Sequence, residues 1–297
     1  MVNTVAIVGS GVMGRGIAVA CAMKDFKVKM IDVNKSALVE AAKATSRILS
    51  TIEEVQPNLV AKDALRRISF QMDYASGLES VQLAIESVAE DLELKKKVFA
   101  RLDSIADASV VLATNTSGLS ITKIASVTKR PGSVVGIHFF APAYILKAVE
   151  IVRGKKTSER TLRFARRFAE ALGKVPVIVQ KDTKNFLINS IQFAMIKEAR
   201  RLLGKGVVSS MSDIDKAIEH SFPVRQSLFG LFLDSDLISP YSAVTHPARR
   251  DFTSNYNYEN PPEELMGIRD ESLLKLMSSL EKIRRAGPKR IRVSPVS

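Results

Sequence analysis

Cysteine is nearly absent: Cys21 is the single thiol in 297 residues. One thiol forbids an internal disulfide and any multi-cysteine metal site, which excludes disulfide-stapled scaffolds and zinc ribbons, and no metal is expected. Histidine is scarce as well, with only His138, His220 and His246. No apolar run approaches the roughly 18 residues of a membrane span, so no membrane anchor is expected. No basic segment precedes the first apolar run, which opens at Val5. A secretory signal is therefore not expected, and the chain is read as cytoplasmic. Acidic residues are in deficit: 44 Lys and Arg stand against 31 Asp and Glu, a net charge of +13. Such a surplus attracts phosphates and other anions. Nucleic acid is not expected, because no recognition motif accompanies the charge. The densest basic cluster is the tail, with Lys282, Arg284, Arg285, Lys289, Arg290 and Arg292 around Gly287 and Pro288. It reads as a frayed end.

What is present fits an ordinary globular protein of two domains, with 46% hydrophobic and 25% charged residues. Short apolar runs recur at Val5–Val8, Val28–Ile31, Leu83–Val88, Val110–Ala113, Val134–Ile137 and Val175–Val179. Several are apolar almost throughout, as strands covered on both faces must be. Helical-period segments lie between them, such as 94–105 with Leu94, Val98, Phe99 and Leu102 on one stripe. This alternation predicts an α/β domain with a parallel, doubly wound sheet. Residues 36–64 read as a helical excursion broken near Pro57. Beyond Asp182 no strand pattern recurs, and 186–203, 212–219 and 271–285 read as helices, with Ser212 as an N-cap. The expected division is 1–182 for the α/β domain and 183–297 for a smaller all-helical domain carrying the basic tail.

Gly9-Ser10-Gly11-Val12-Met13-Gly14 fits G-x-G-x-x-G directly after the first strand, with a helical stretch following. Gly9 makes the tight turn, Gly11 lets backbone approach a pyrophosphate, and Gly14 lets helix and strand pack closely. Phosphates then rest on free N–H groups at the positive end of the helix. Asp32 ends the second strand, where a carboxylate accepts from a ribose hydroxyl and repels a 2′-phosphate. NAD is expected over NADP. Cys21, in the following helix, reads as a small buried hydrophobe.

His138 sits at a strand end in Gly136-Ile137-His138-Phe139-Phe140-Ala141-Pro142. Ligands of open α/β sheets bind beyond the carboxyl ends of the strands, and an imidazole there can act as a general base. Glu150 lies in the apolar stretch Ala148-Val149-Glu150-Ile151-Val152, where a carboxylate is costly without a partner. A His138–Glu150 pair answers that cost and fixes the imidazole tautomer.

The chain resembles the L-3-hydroxyacyl-CoA dehydrogenases, 3-hydroxybutyryl-CoA dehydrogenases included, over residues 5 to about 220. The resemblance rests on Val5 to Ala18, Glu86-Ser87-Val88-Ala89-Glu90 with Leu94-Lys95, Asn115-Thr116-Ser117, Gly136 to Phe140, Val149 to Val152 and Ser212-Asp213-Ile214-Asp215. It implies a Rossmann domain followed by a helical dimerisation domain, a homodimer, and NAD-linked oxidation of a 3-hydroxyacyl thioester. By that likeness His138 is the base and Glu150 its partner, and Ser117 bonds the reacting oxygen. Asn189 is the polar contact to substrate. Gly9, Gly11, Val12, Met13, Gly14, Asp32, Glu90, Lys95 and Asn115 lie against the cofactor.

Departures fall on the substrate side. Ala141 stands where the family has Asn, Lys184-Asn185-Phe186 replaces Pro-Gly-Phe, and Ser190 replaces Arg. Pro223 to Ser227 only faintly echoes Pro-Met-Gly-Pro, and a C-terminal Gly-Phe-Tyr is missing. Three readings stay open. One is a dehydrogenase of short 3-hydroxyacyl-CoA. Another keeps the chemistry on an acyl-carrier-protein thioester or a free 3-hydroxy acid. The last is a nucleotide-binding relative without turnover.

Overall fold

The structure, a computed structural model, describes residues 3–56, 58–245 and 262–286. It divides into two compact units, Met1–Met195 and Ile196–Ser297. In the first, β1 (Thr4–Val8), α1 (Val12–Ala22) and β2 (Lys27–Ile31) form the opening βαβ unit. The excursion follows as α2 (Lys35–Val55) and α3 (Ala61–Arg66), with residue 57 outside the described residues. Next come β3 (Ile68–Gln71), α4 (Tyr74–Leu78), β4 (Leu83–Glu86), α5 (Leu92–Ile105), β5 (Val111–Thr114), α6 (Ile121–Ala125) and β6 (Val134–Phe139). β7 (Ala148–Val152), α7 (Glu159–Ala171) and β8 (Val175–Val179) close the sheet, and α8 (Ile188–Gly204) follows.

The eight strands run in the order β3-β2-β1-β4-β5-β6-β7-β8. Six of them, β3 to β6, reproduce the 3-2-1-4-5-6 order of a Rossmann sheet, whose winding reverses between β1 and β4. Every pairing is parallel except β6 with β7. The sheet is therefore parallel-dominated, as expected, with one antiparallel join between β6 and β7. Residues 140–147 join β6 to β7, too few for a parallel crossover of a dozen residues or more. The chain must turn back. β3 and β7 escaped the sequence reading as strands, one because it is short and the other because its Glu150 interrupts an apolar run.

Both faces of the sheet are dry. Ile7, Ile17, Val19 and Phe168 belong to one apolar cluster, and Ala84, Phe99, Leu102 and Leu112 to the other. Cys21 is fully buried, and desolvation pushes its thiol up to about 12, so it is inert packing.

The second unit is helical among the described residues: the end of α8, α9 (Met211–Glu219), α10 (Phe222–Thr245) and α11 (Pro262–Ala286). Gly230, with φ of 71°, breaks α10 into two segments. The cap of α9 is Ser210 and not Ser212: Ser210 Oγ accepts the Asp213 amide and donates to the Asp213 carboxylate, whereas Ser212 lies inside the helix. The chain passes from the first unit to the second at 195/196, and Leu187, Ile188 and Asn189 bond back to the sheet domain. His246 and tail residues 287–297 lie outside the described residues, as do the side chains of Arg284 and Arg285. No helix among the described residues is long and apolar enough to cross a membrane.

Candidate active site

The glycine turn begins where β1 ends. Gly9 adopts φ of +106°, and a Cβ there would meet the Ser87 carbonyl oxygen at 2.6 Å. At Gly14 a Cβ would lie 2.0 Å from the Gly9 carbonyl oxygen, so α1 can pack this close to the turn only with glycine. Gly11 is different: a Cβ there meets nothing within 4 Å. The space over Gly11 is open, α1 starts there without a side-chain cap, and Val12 is exposed while Met13 is partly so. Uncapped amides facing open space suit a pyrophosphate.

Asp32, at the end of β2, latches this turn. Its Oδ2 accepts the Ser10 amide at 2.9 Å and hydroxyl at 2.7 Å, while Oδ1 accepts the Asn34 amide at 2.9 Å. A carboxylate offers about four lone-pair sites, so capacity remains for a ribose diol. These residues fit a bound NAD.

Beyond β4 a polar chain runs under the crevice. Lys95 is buried, and its ammonium donates to Glu86 Oε1 at 2.7 Å and the Val88 carbonyl at 3.2 Å, with Glu90 Oε2 at 3.3 Å. All three donors of Lys95 are used on protein. It braces Glu90 from behind, where the resemblance had placed it against the cofactor. Glu90 Oε1 in turn accepts the Thr116 hydroxyl, the Ser117 amide at 2.9 Å and the Ser117 hydroxyl at 3.2 Å. Burial pushes the Glu90 carboxyl up, yet Thr116, Lys95 and the Ser117 amide together hold it below its ordinary value. Asn189 Nδ2 donates to the Ser117 carbonyl at 3.1 Å, which ties the first turn of α8 to the loop after β5. Asn115 is buried and accepts the Phe139 amide at 2.8 Å, locking the end of β6.

His138 and Glu150 stand opposite each other across β6 and β7. Directly opposed residues of an antiparallel pair hold their Cβ atoms about 4.5–5.5 Å apart, within easy reach of a hydrogen bond. His138 Nδ1 lies 2.7 Å from Glu150 Oε2, and both side chains are buried. Glu150 Oε1 accepts the amides of Leu187 at 3.1 Å and Ile188 at 2.8 Å, at the start of α8. Desolvation pushes the Glu150 carboxyl up, but His138 and the two amides outweigh it and hold the group below its ordinary value. With Nδ1–H donating to a carboxylate, the Nε2 lone pair is the free base. Phe140 and Phe186 flank the imidazole, with centroids 4.6 and 5.9 Å away.

The departures noted in the sequence have local explanations. Asn185 takes φ of 65°, the left-handed conformation that Asn tolerates where a family glycine stood. Its side chain and backbone pack on Gly118, where a Cβ would meet Asn185 Oδ1 at 2.9 Å. Ser190 donates to the Phe186 carbonyl and stitches the same turn. Ala141 is exposed. Sequence reasoning passed over Glu86, Thr116 and the 187–188 amides. For Glu86 a signal existed: a carboxylate closing a wholly apolar strand needs a buried partner, here Lys95.

A glycine turn at the reversal of a Rossmann sheet, with an acid at the end of β2 and a carboxylate-backed histidine near the carboxyl end of β6, defines an NAD-dependent oxidoreductase acting on a CH–OH group. Residues 4–183 match the family model described as 3-hydroxyacyl-CoA dehydrogenase, NAD binding domain. The human mitochondrial hydroxyacyl-coenzyme A dehydrogenase is 35% identical over 226 residues, 74% of this chain and 71% of that protein. The crystal structure of (S)-3-hydroxybutyryl-CoA dehydrogenase from Ralstonia eutropha superposes with a TM-score of 0.70 at 35% identity, covering 74% of this chain and 77% of that one. A relative from Mesorhizobium japonicum, 5-formyl-3-hydroxy-2-methylpyridine 4-carboxylate 5-dehydrogenase, is 27% identical over 256 residues, 86% of this chain and 82% of that protein. The chain belongs to the 3-hydroxyacyl-CoA dehydrogenase family.

Proposed function

We propose that this chain interconverts a short-chain 3-hydroxyacyl-CoA and its 3-oxoacyl form. The observation that carries the reading is the buried His138–Glu150 pair at the carboxyl end of the same sheet that holds the glycine turn. His138 Nε2 takes the hydroxyl proton as the C–H bond breaks, and the carbonyl forms as hydride leaves. Bound NAD supplies the hydride acceptor. In reverse, the imidazolium returns the proton to the carbonyl oxygen. Glu150 keeps the imidazole in one tautomer and steadies its cation. Ser117 holds the reacting oxygen by exchanging its hydroxyl bond to Glu90 for one to substrate, and Asn189 fixes Ser117 through its carbonyl. Gly9, Gly11, Val12, Met13, Gly14 and Asp32 hold the dinucleotide, and Glu90, Lys95 and Asn115 shape the wall beside it.

The acyl-CoA substrate is supported by the names of the relatives at 35% identity. A second reading keeps the chemistry on an acyl-carrier-protein thioester or a free acid. It is favoured by Ala141, Ser190 and the pyridine carboxylate in the name of the Mesorhizobium relative. Homodimer formation belongs to the first reading. Its support is α8, which has no buried residue although Ile191, Phe193, Met195 and Ile196 are exposed along it. A reducing, cytoplasmic setting fits the lone unbridged Cys21.

The test is NADH oxidation with acetoacetyl-CoA, 3-oxoacyl carrier protein and free 3-oxo acids in parallel. Acetoacetyl-CoA is expected to turn over fastest, and His138→Ala to lose roughly 10²–10⁴-fold in rate with NADH affinity kept. Full activity in His138→Ala sinks the base assignment. Preference for the carrier protein or a free acid transfers the reading to the second substrate class.

A further inference from the structure

We propose that a cleft at the amino-terminal edge of the sheet is a second ligand site, built for a nucleotide-type organic phosphate. It lies at the opposite edge from the glycine turn and does not depend on the dehydrogenase reading. Its walls include Asn3 just before β1, Gln82 before β4 and Ser133 before β6. Gly9, Asp32 and His138 stand instead at or just beyond the carboxyl ends of their strands. Across the five residues of β1 the two edges are about 15 Å apart.

The open cleft offers about 1150 Å³, room for more than a simple anion. Its cations are Arg160, Arg163 and Arg167 of α7, with Lys24 beyond the end of α1. Spacings of three and four residues put the three arginines on one helix face. Among the described residues no carboxylate pairs with any of these four groups. Asp25, the acid in the lining, is engaged by Arg67 at 2.6 Å. Elsewhere on α7 pairing does occur: Arg166 meets Glu170 at 2.8 Å. Arg160 also stands in the first turn, where the helix dipole disfavours a cation and favours an anion. All four cations are exposed and, among the described residues, free of carboxylate partners, so an anionic ligand can engage them without breaking an existing ion pair.

The floor is aromatic. Phe26 and Phe168 are buried edge to face with centroids 5.6 Å apart, and Phe164 beside them is partly open. Phe164 alone leaves ring surface open beside the guanidinium wall, which matches a ligand that is planar at one end and polyanionic at the other. A nucleoside diphosphate has that form.

The experiment uses the full chain saturated with NADH, so that the dinucleotide site is filled, and titrates ADP and then pyrophosphate by calorimetry. One ADP per chain is expected, binding more tightly than pyrophosphate. Arg163→Ala with Arg167→Ala is expected to weaken ADP about 10-fold or more, while NADH affinity and acetoacetyl-CoA turnover stay unchanged and show the variant folded. Absence of ADP binding under NADH saturation overturns the proposal, as does binding untouched by the double substitution. Pyrophosphate binding as tightly as ADP overturns the nucleotide assignment.

Discussion

Glu150 serves His138 from one oxygen and the start of α8 from the other. Oε2 meets the imidazole at 2.7 Å, and Oε1 collects the Leu187 and Ile188 amides. The carboxylate that orients the proposed base therefore also fastens the chain as it leaves the sheet. Catalytic geometry and the attachment of α8 share one buried charge.

The first prediction follows from that sharing. The folded Glu150 carboxyl titrates below its ordinary value near 4.5, as does Glu90. Below about pH 4.5 the unfolded chain then binds more protons than the folded one, so stability falls as pH drops. Their contribution is present in full above that value. Glu150→Gln is expected to flatten the slope of unfolding free energy against pH between about pH 3 and pH 5. The same variant is expected to lose stability at neutral pH, on the order of 1–3 kcal/mol. Denaturant titrations across that range check both; an unchanged slope removes Glu150 from the acid response.

Gly14 and Gly11 are expected to separate stability from binding. Gly14→Ala drives a methyl group into the Gly9 carbonyl, and overpacking of this kind costs roughly 1–3 kcal/mol or more. Gly11→Ala meets open space and is expected to stay within about 0.5 kcal/mol of the parent. Its NADH affinity is expected to drop all the same, because the methyl occupies the phosphate cradle. Thermal melts with and without NADH read the two effects; a Gly11→Ala protein binding NADH normally contradicts the cradle.

Asp32→Ala is expected to loosen the turn by freeing the Ser10 amide and hydroxyl. Charge-assisted hydrogen bonds are worth about 1.5–3 kcal/mol, so NADH affinity should fall roughly 10- to 100-fold. The preference of NADH over NADPH should shrink as well, since the repelling carboxylate is gone. Fluorescence titration with both cofactors measures this, and an undiminished preference points away from Asp32.

Asn189→Ala removes the tie to the Ser117 carbonyl. The expected result is a rise in KM for the acyl substrate with NADH affinity unchanged, because the Gly9–Gly14 turn is untouched. Stability should shift by about 0.5–1.5 kcal/mol at most. A selective loss of NADH affinity would place Asn189 on the cofactor side instead.

Much of the architecture was legible in the residues because its causes are local. A glycine turn, an apolar run and a helical stripe each act over a few neighbours, so the doubly wound α/β alternation, the broken excursion at 36–64 and the helical second unit could be read directly. The His138–Glu150 pair was nearly legible too: twelve residues separate them, and a buried carboxylate demands a partner. The rest rested on contacts that sequence distance hides. The Leu187 and Ile188 amides reach Glu150 across 37 and 38 residues, and Asn189 reaches Ser117 across 72. Lys95, which the resemblance sets against the cofactor, is buried between Glu86 and Glu90, and neither its burial nor the Glu86 contact is visible along the chain. The antiparallel return of β7 came from the shortness of its connection, and the basic cleft from folding α7 against the chain before β1 and β4. Local sterics and periodicity settle which elements form. Which charges meet, and which stay unpaired, is settled only when distant segments share one desolvated surface.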